Sequence, residues 1–151
     1  MKVLGIHVAT SQLRYAVLSG TKKAPTLIDK GKLTTVDPED VPALMDWYDT
    51  QFTAILDQHS PDRISYRLTL DPKKKIQLFA SEFPLGILNL LAHQRGIATV
   101  DYTPGTYVAS KLGLPKGADL YSHCDAVLGE HTPYWDTNQK HAVLAAWFEL
   151  P

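Results

Sequence analysis

Cysteine is almost missing: Cys124 is the only one among 151 residues. A lone thiol closes no internal disulfide and builds no multi-cysteine zinc site, which fits a reducing compartment, here the cytoplasm. An excess of charge of either sign is also lacking. Fifteen Lys and Arg against sixteen Asp and Glu leave a formal net charge of −1. That excludes a strongly basic nucleic-acid binder and leaves room only for a local basic patch. No run approaches 18 uninterrupted apolar residues, so no membrane span is expected, and the N-terminus shows no signal-peptide pattern. What the chain does have is apolar side chain, 44% of the residues. That amount suits one globular domain over residues 1–151, able to bury about 70% of its unfolded surface.

Periodicity supplies the elements. Val3–Val8 and Leu13–Leu18 are apolar runs around a short polar turn, with Leu13, Tyr15 and Val17 alternating as in a strand. After the turn Thr21–Pro25, the stretch TLIDKGKLTTV reads as a third strand, completing an antiparallel meander. The period then changes. Asp37-Pro38-Glu39-Asp40 has the form of an N-cap with proline at the first helical position. Val41, Leu44, Met45, Tyr48, Phe52, Ile55 and Leu56 form one helical stripe running to about His59. Ile64, Tyr66 and Leu68 alternate as a fourth strand, and DPKKK reads as a solvated turn. Helical composition from Ile76 to Gln94 is interrupted by Pro84, so a firm helix is expected over about 83–95, capped by Gly96. A short strand over 97–102, a helix over 104–111, a helix over 120–128 and a last helix capped by Asp136 complete the order βββ-α-β-α-β-α-(α)-α.

That order is the one found in the ribonuclease H-like fold: α/β, a mixed five-stranded sheet with three antiparallel strands and then parallel ones, flanked by helices on both faces. GIHVATSQLRYAVL resembles the first hairpin of the RuvC-type Holliday-junction resolvases, which begins with a GIDPG-like motif. PDRISYRLTL resembles their fourth strand, VDYTPGTYVASKLG their fifth strand and following helix, and NQKHAVLAAW the D-x-x-D-A start of their last helix. A closer likeness, carried by DTNQKHAVLAAW, is to a small bacterial family of RuvC-like organisation with degenerate catalytic positions and no assigned activity.

The resemblance implies a nuclease site in which about four carboxylates hold two divalent metals. Hard cations of that kind need oxygen ligands, usually anionic. At the four corresponding positions this chain has His7, Arg67, Asn138 and His141, and every acid is gone. Asp71, Asp101, Asp119 and Asp136 lie near in sequence. None is on the first strand, and a cation at Arg67 would oppose a metal by roughly 4 kcal/mol per unit-charge pair at 4 Å and an effective dielectric of 20. His7 and Arg67 can equally be structural, a histidine beside a strand and an arginine paired to an acid. In the functional reading, His7, Arg67 and His141 make a pocket of inverted sign that takes an anion without metal.

Other signals are weaker. Lys73, Lys74 and Lys75 form a basic run in a region that faces DNA in the resembled nucleases, and Lys22 and Lys23 sit in an earlier turn; a solvated loop explains them as well. His123, Cys124, Asp125 and His131 match no zinc spacing. Trp47, Trp135 and Trp147 are expected in the core, with a partner surface as the alternative. The expectation is therefore a pseudo-nuclease without cofactor or metal. It would bind nucleic acid through Arg67, Lys73, Lys74 and Lys75, or bind a protein partner, and would not associate with membrane. The alternatives are an active metal-dependent nuclease with rearranged ligands and a homodimeric interaction module.

Overall fold

A computed structural model describes residues 1–69 and 74–151. Strands β1 (Val3–Ala9), β2 (Gln12–Gly20), β3 (Pro25–Thr34), β4 (Arg63–Arg67) and β5 (Ala98–Tyr102) form one sheet in the order β3-β2-β1-β4-β5. The first three are antiparallel neighbours, and β4 and β5 join parallel to β1. The mixed sheet expected from the sequence is therefore the one observed.

Strand alternation divides the side chains between two layers. Leu4, Ile6, Val8, Leu13, Val17, Ile64 and Tyr66 face helices α1 (Val41–His59) and α3 (Phe83–Gln94) in one apolar cluster. Val3, Ala16 and Leu18 face helices α4 (Leu120–Leu128) and α5 (Thr137–Phe148) in the other. Each fully buried Leu, Ile or Phe contributes about 1.5–3 kcal/mol relative to exposure. Helix α5 is buried almost all round, from His141 to Phe148, as expected of a helix lying across the middle of the sheet. It comes so close to β1 that a Cβ on Gly5 would stand 1.9 Å from the Ala142 carbonyl oxygen. Only glycine permits that approach.

Four local expectations are corrected. The first helix starts at Val41, not Pro38: Asp37 accepts from the Glu39 N–H at 3.0 Å in a turn of its own, and Asp40 is the cap, accepting from the Ala43 N–H at 3.1 Å. The later Asp-x-Pro, ending at Pro42, carries the same starting signature and wins. The stretch 104–111 is not a helix. It forms a turn, closed by the Thr103 N–H donating to Thr106 Oγ1 at 2.9 Å, then an extended Val108 and a short 3-10 helix, Ala109–Leu112. Gly105 and the β-branched Thr106 and Val108 weaken a helix there, and the irregular path turns Tyr107 into the core. Lys75 is not in a turn but opens the short helix α2 (Lys75–Gln77); Lys74 precedes it, exposed, while Lys73 and Asp71 lie outside the described residues. The break expected at Pro84 lies before it, as a π-helical turn over Leu78–Glu82 that runs into α3.

Charge is segregated as well. No Lys or Arg occurs between Leu33 and Asp62, whereas Asp46, Asp49 and Asp57 are exposed on α1. Among the described residues, no helix is long and apolar enough to cross a membrane.

Candidate functional site

The site lies on the α5 face of the sheet, and register builds it. His7 pairs with Arg14 across β1 and β2, and Arg14 with Lys32 across β2 and β3. Ile6 pairs with Tyr66, so carrying the parallel register one residue further sets Arg67 beside His7. Arg67 in turn pairs with Tyr102. One rung of the sheet thus reads Lys32, Arg14, His7, Arg67, Tyr102, and the Lys111 ammonium lies 5.5 Å from the Tyr102 ring centroid. The start of α5 lies over the middle of this rung.

The four positions singled out by the resemblance meet here. His7 Nε2 lies 3.2 Å from Asn138 Oδ1, a contact that suits a neutral ring donating from Nε2. The His7 and His141 rings are 4.8 Å apart. Tyr107 connects the rest: its hydroxyl donates to the His141 carbonyl at 2.8 Å, its ring lies 5.6 Å from the His141 ring, and the Arg67 guanidinium sits 5.4 Å from its centroid. Tyr121 meets His141 edge-on at 5.5 Å.

Both imidazoles are held neutral. Burial lowers His7 to about 4, with Arg67 and Arg14 adding to the shift and the Asn138 contact opposing it. His141 is lowered to about 3 by burial, then by His7 and by Arg67. Burial raises the Tyr107 phenol well above its ordinary value. The site's formal charge therefore comes from Arg67. That arginine has no carboxylate partner among the described residues; its Nε is buried without a hydrogen bond, as are Ser65 Oγ and His141 Nδ1.

The acids near in sequence do not join it. Asp136 is engaged twice, with both oxygens 2.8 Å from Arg14 guanidinium nitrogens and Oδ1 accepting from the Gln139 N–H at 3.0 Å. Asp101 pairs with Tyr66 and so lies on the opposite face of the sheet. Asp119 caps α4, and Asp71 lies outside the described residues. Among the described residues no three His, Cys, Asp or Glu side chains are grouped to hold a metal. Two imidazoles, an amide and a guanidinium do not fit a pair of hard divalent cations.

Sequence reasoning missed Arg14, which is 1% exposed yet charged, and its partner Gln139, whose side chain donates to the Tyr15 carbonyl at 2.8 Å. The available signal was the second alternation in β2, with Gln12 and Arg14 in line with Ala16 and Leu18. Tyr107 was also missed, because its segment was read as a regular helix.

The remaining candidates disperse. His123 stacks on Trp147 at 5.2 Å, Cys124 is buried, Asp125 accepts from Trp135 and Lys140, and His131 bonds the Leu128 carbonyl. Trp147 is fully buried, and Trp47 and Trp135 are half-buried against the two cores. Lys22 and Lys23 remain in a turn between β2 and β3.

Comparison with solved structures settles the fold. RuvC of Thermus thermophilus in complex with a Holliday junction substrate aligns over 98% of this chain and 91% of its own, with a TM-score of 0.77 at 16% identity. The chain has a RuvC-like, ribonuclease H-like fold. The yeast mitochondrial Holliday junction resolvase Ydc2 aligns over 97% of this chain and 76% of its own, at TM-score 0.73 and 9% identity. The fowlpox virus Holliday junction resolvase covers 98% and 93%, at TM-score 0.57 and 10% identity. No family model matches the chain, and no curated protein matches it. The RuvC-like likeness is thus one of architecture.

Proposed function

We propose that this chain is a single RuvC-like domain of the cytoplasm that binds nucleic acid without cutting it. The observation that carries the reading is Arg67, a guanidinium with no carboxylate partner among the described residues, set beside a pair of neutral imidazoles where the resembled nucleases hold metal. A planar fork of donors beside neutral rings suits a phosphodiester oxygen and disfavours a divalent cation. The structural neighbours named for Holliday junctions support nucleic acid as the class of ligand. In this reading His7, Asn138 and His141 are degenerate positions that keep the shape of the site. Exposed Lys74, together with Lys73 and Lys75, supplies further phosphate contacts.

The test is a binding and cleavage assay on four-way junctions, linear duplex, single strands and RNA, with Mg²⁺ and Mn²⁺. Salt-dependent binding, weakened by Arg67→Gln and by Lys74→Glu, with every strand left intact, is the expected result. Metal-dependent cleavage by the pure protein overturns it.

A second reading, a homodimeric or protein-binding module, is favoured by one observation: Phe83 and Leu90 are 44% and 54% exposed on α3. Light scattering that finds a stable dimer, together with no retention of nucleic acid at low salt, would favour this reading.

A further inference from the structure

The rung that holds Arg67 continues beyond Arg14 to an exposed edge, and the edge carries an aromatic ring. Lys32 is exposed on β3, and its ammonium sits 4.7 Å from the centroid of Tyr134. Lys30, two residues along the same face, donates to the Pro133 carbonyl. Tyr134 is 55% exposed, a large fraction for an aromatic residue in a chain of this size. Its φ of 63° lies in the left-handed region, uncommon for any residue but glycine. Asp136, two residues on in the chain, offers the patch no free carboxylate because Arg14 takes both of its oxygens. The edge therefore presents a ring with the Lys32 ammonium at one face and much of its surface open, and a second ammonium, Lys30, on the carbonyl of the preceding residue.

We propose that Tyr134, Lys30 and Lys32 form a stacking platform for an unpaired nucleotide at one end of the rung, a second contact separate from Arg67. This rests on the nucleic-acid reading above. Grooves for single strands combine backbone-tracking cations with aromatic rings on which bases stack, and these three residues supply both. Three strand intervals separate β3 from β4, which sets the platform roughly 14 Å from Arg67. The start of α5 covers the rung between them, so the platform and Arg67 are two distinct contacts rather than one continuous track. Arg14, neutralised by Asp136, adds no net charge between them. An acidic peptide would satisfy the lysines but makes little use of the open ring, so nucleic acid is the occupant the patch favours.

The experiment is anisotropy of a labelled oligothymidine single strand and of a blunt duplex, over a salt series, with the whole chain and its Tyr134→Ala, Tyr134→Phe, Lys32→Gln and Arg67→Gln variants. Tyr134→Ala is expected to weaken single-strand binding by roughly 5- to 150-fold, the span of one lost base–aromatic stack. Tyr134→Phe keeps the affinity, and the duplex loses far less. Lys32→Gln lowers the salt slope by about 0.7, one phosphate contact on a single strand. If the parent binds the single strand and Tyr134→Ala binds it equally well, the platform is wrong while the reading at Arg67 stands. An equal loss on strand and duplex also removes the platform. A parent chain that holds no nucleic acid at low salt removes both, and polyglutamate competing as well as the oligonucleotide reassigns the patch to an acidic protein. Far-UV circular dichroism of Tyr134→Phe and Tyr134→Ala checks that both are folded.

Discussion

Arg14 and Asp136 face each other as two forks: each carboxylate oxygen of Asp136 accepts from one guanidinium nitrogen of Arg14 at 2.8 Å. Arg14 is almost fully buried, whereas the Asp136 side chain is 53% exposed. Gln12, Gln139 and the Tyr134 carbonyl also accept from the arginine, at 2.6, 3.4 and 3.4 Å. The pair bolts β2 to the first turn of α5, and that turn sets Asn138 against His7.

Asp136→Ala removes two things at once. Loss of the helix cap alone costs about 1 kcal/mol. An arginine left buried without its partner adds a larger penalty, up to about 3–5 kcal/mol for a fully buried pair and less here because water reaches Asp136. A total near 2–4 kcal/mol in urea titration is expected, against a clearly smaller loss for Asp119→Ala, which removes a cap without orphaning an arginine. Equal losses in the two variants would show that the ion pair contributes nothing.

Acid should loosen the molecule through the adjacent imidazoles of His7 and His141. His7 titrates at about 4 in the folded chain and at the ordinary 6.5 when unfolded, so below pH 6.5 the unfolded state binds the extra proton. Stability from this histidine is complete above pH 6.5 and falls as pH drops towards 4, by at most about 1.4 kcal/mol per pH unit. His141, lowered to about 3, acts in the same direction. Urea midpoints measured between pH 4.5 and 8 should fall only on the acid side, and His7→Gln should flatten part of that slope.

Gly5→Ala should be among the most damaging small substitutions. The new methyl meets the Ala142 carbonyl oxygen at 1.9 Å and the Ala146 nitrogen at 2.8 Å, both backbone atoms of α5. Overpacking commonly costs about 1–3 kcal/mol, and rigid backbone places this case at or beyond the upper end. Gly86→Ala, where nothing lies within 4 Å of the added carbon, is the control and should leave the thermal midpoint unchanged or raise it. A Gly5→Ala midpoint equal to the parent's would refute the close approach.

The sheet and its helices were legible because the signals are local: the apolar run of β1, alternation in β2, the stripe from Leu44 to Leu56, Gly96 just past the end of α3 and Asp136 as the cap of α5. Helix α4 spans the residues expected of it, and α5 begins just after Asp136. The segment after β5 was misread because a Thr-Pro pair opens a turn as readily as a helix, and the burial of Tyr107 decided between them. His7, Arg67, Asn138 and His141 were found through resemblance, since nothing in the spacing of four residues on three separate elements announces that they touch. The Arg14–Asp136 pair was illegible for another reason. An arginine in an alternating strand reads as solvent-facing until the second helix layer is known to cover that face.

The uneven placement of charge, with acids alone from Asp37 to Asp62 and basic groups along one rung, makes the molecule a dipole despite its near-zero total. At long range such a particle neither seeks nor avoids a polyanion. Within about one Debye length, roughly 8 Å at physiological salt, it experiences a torque that turns α1 away and brings the rung forward. Orientation on any polyanion would then be selected at the moment of contact, and approach by the wrong side would be repelled.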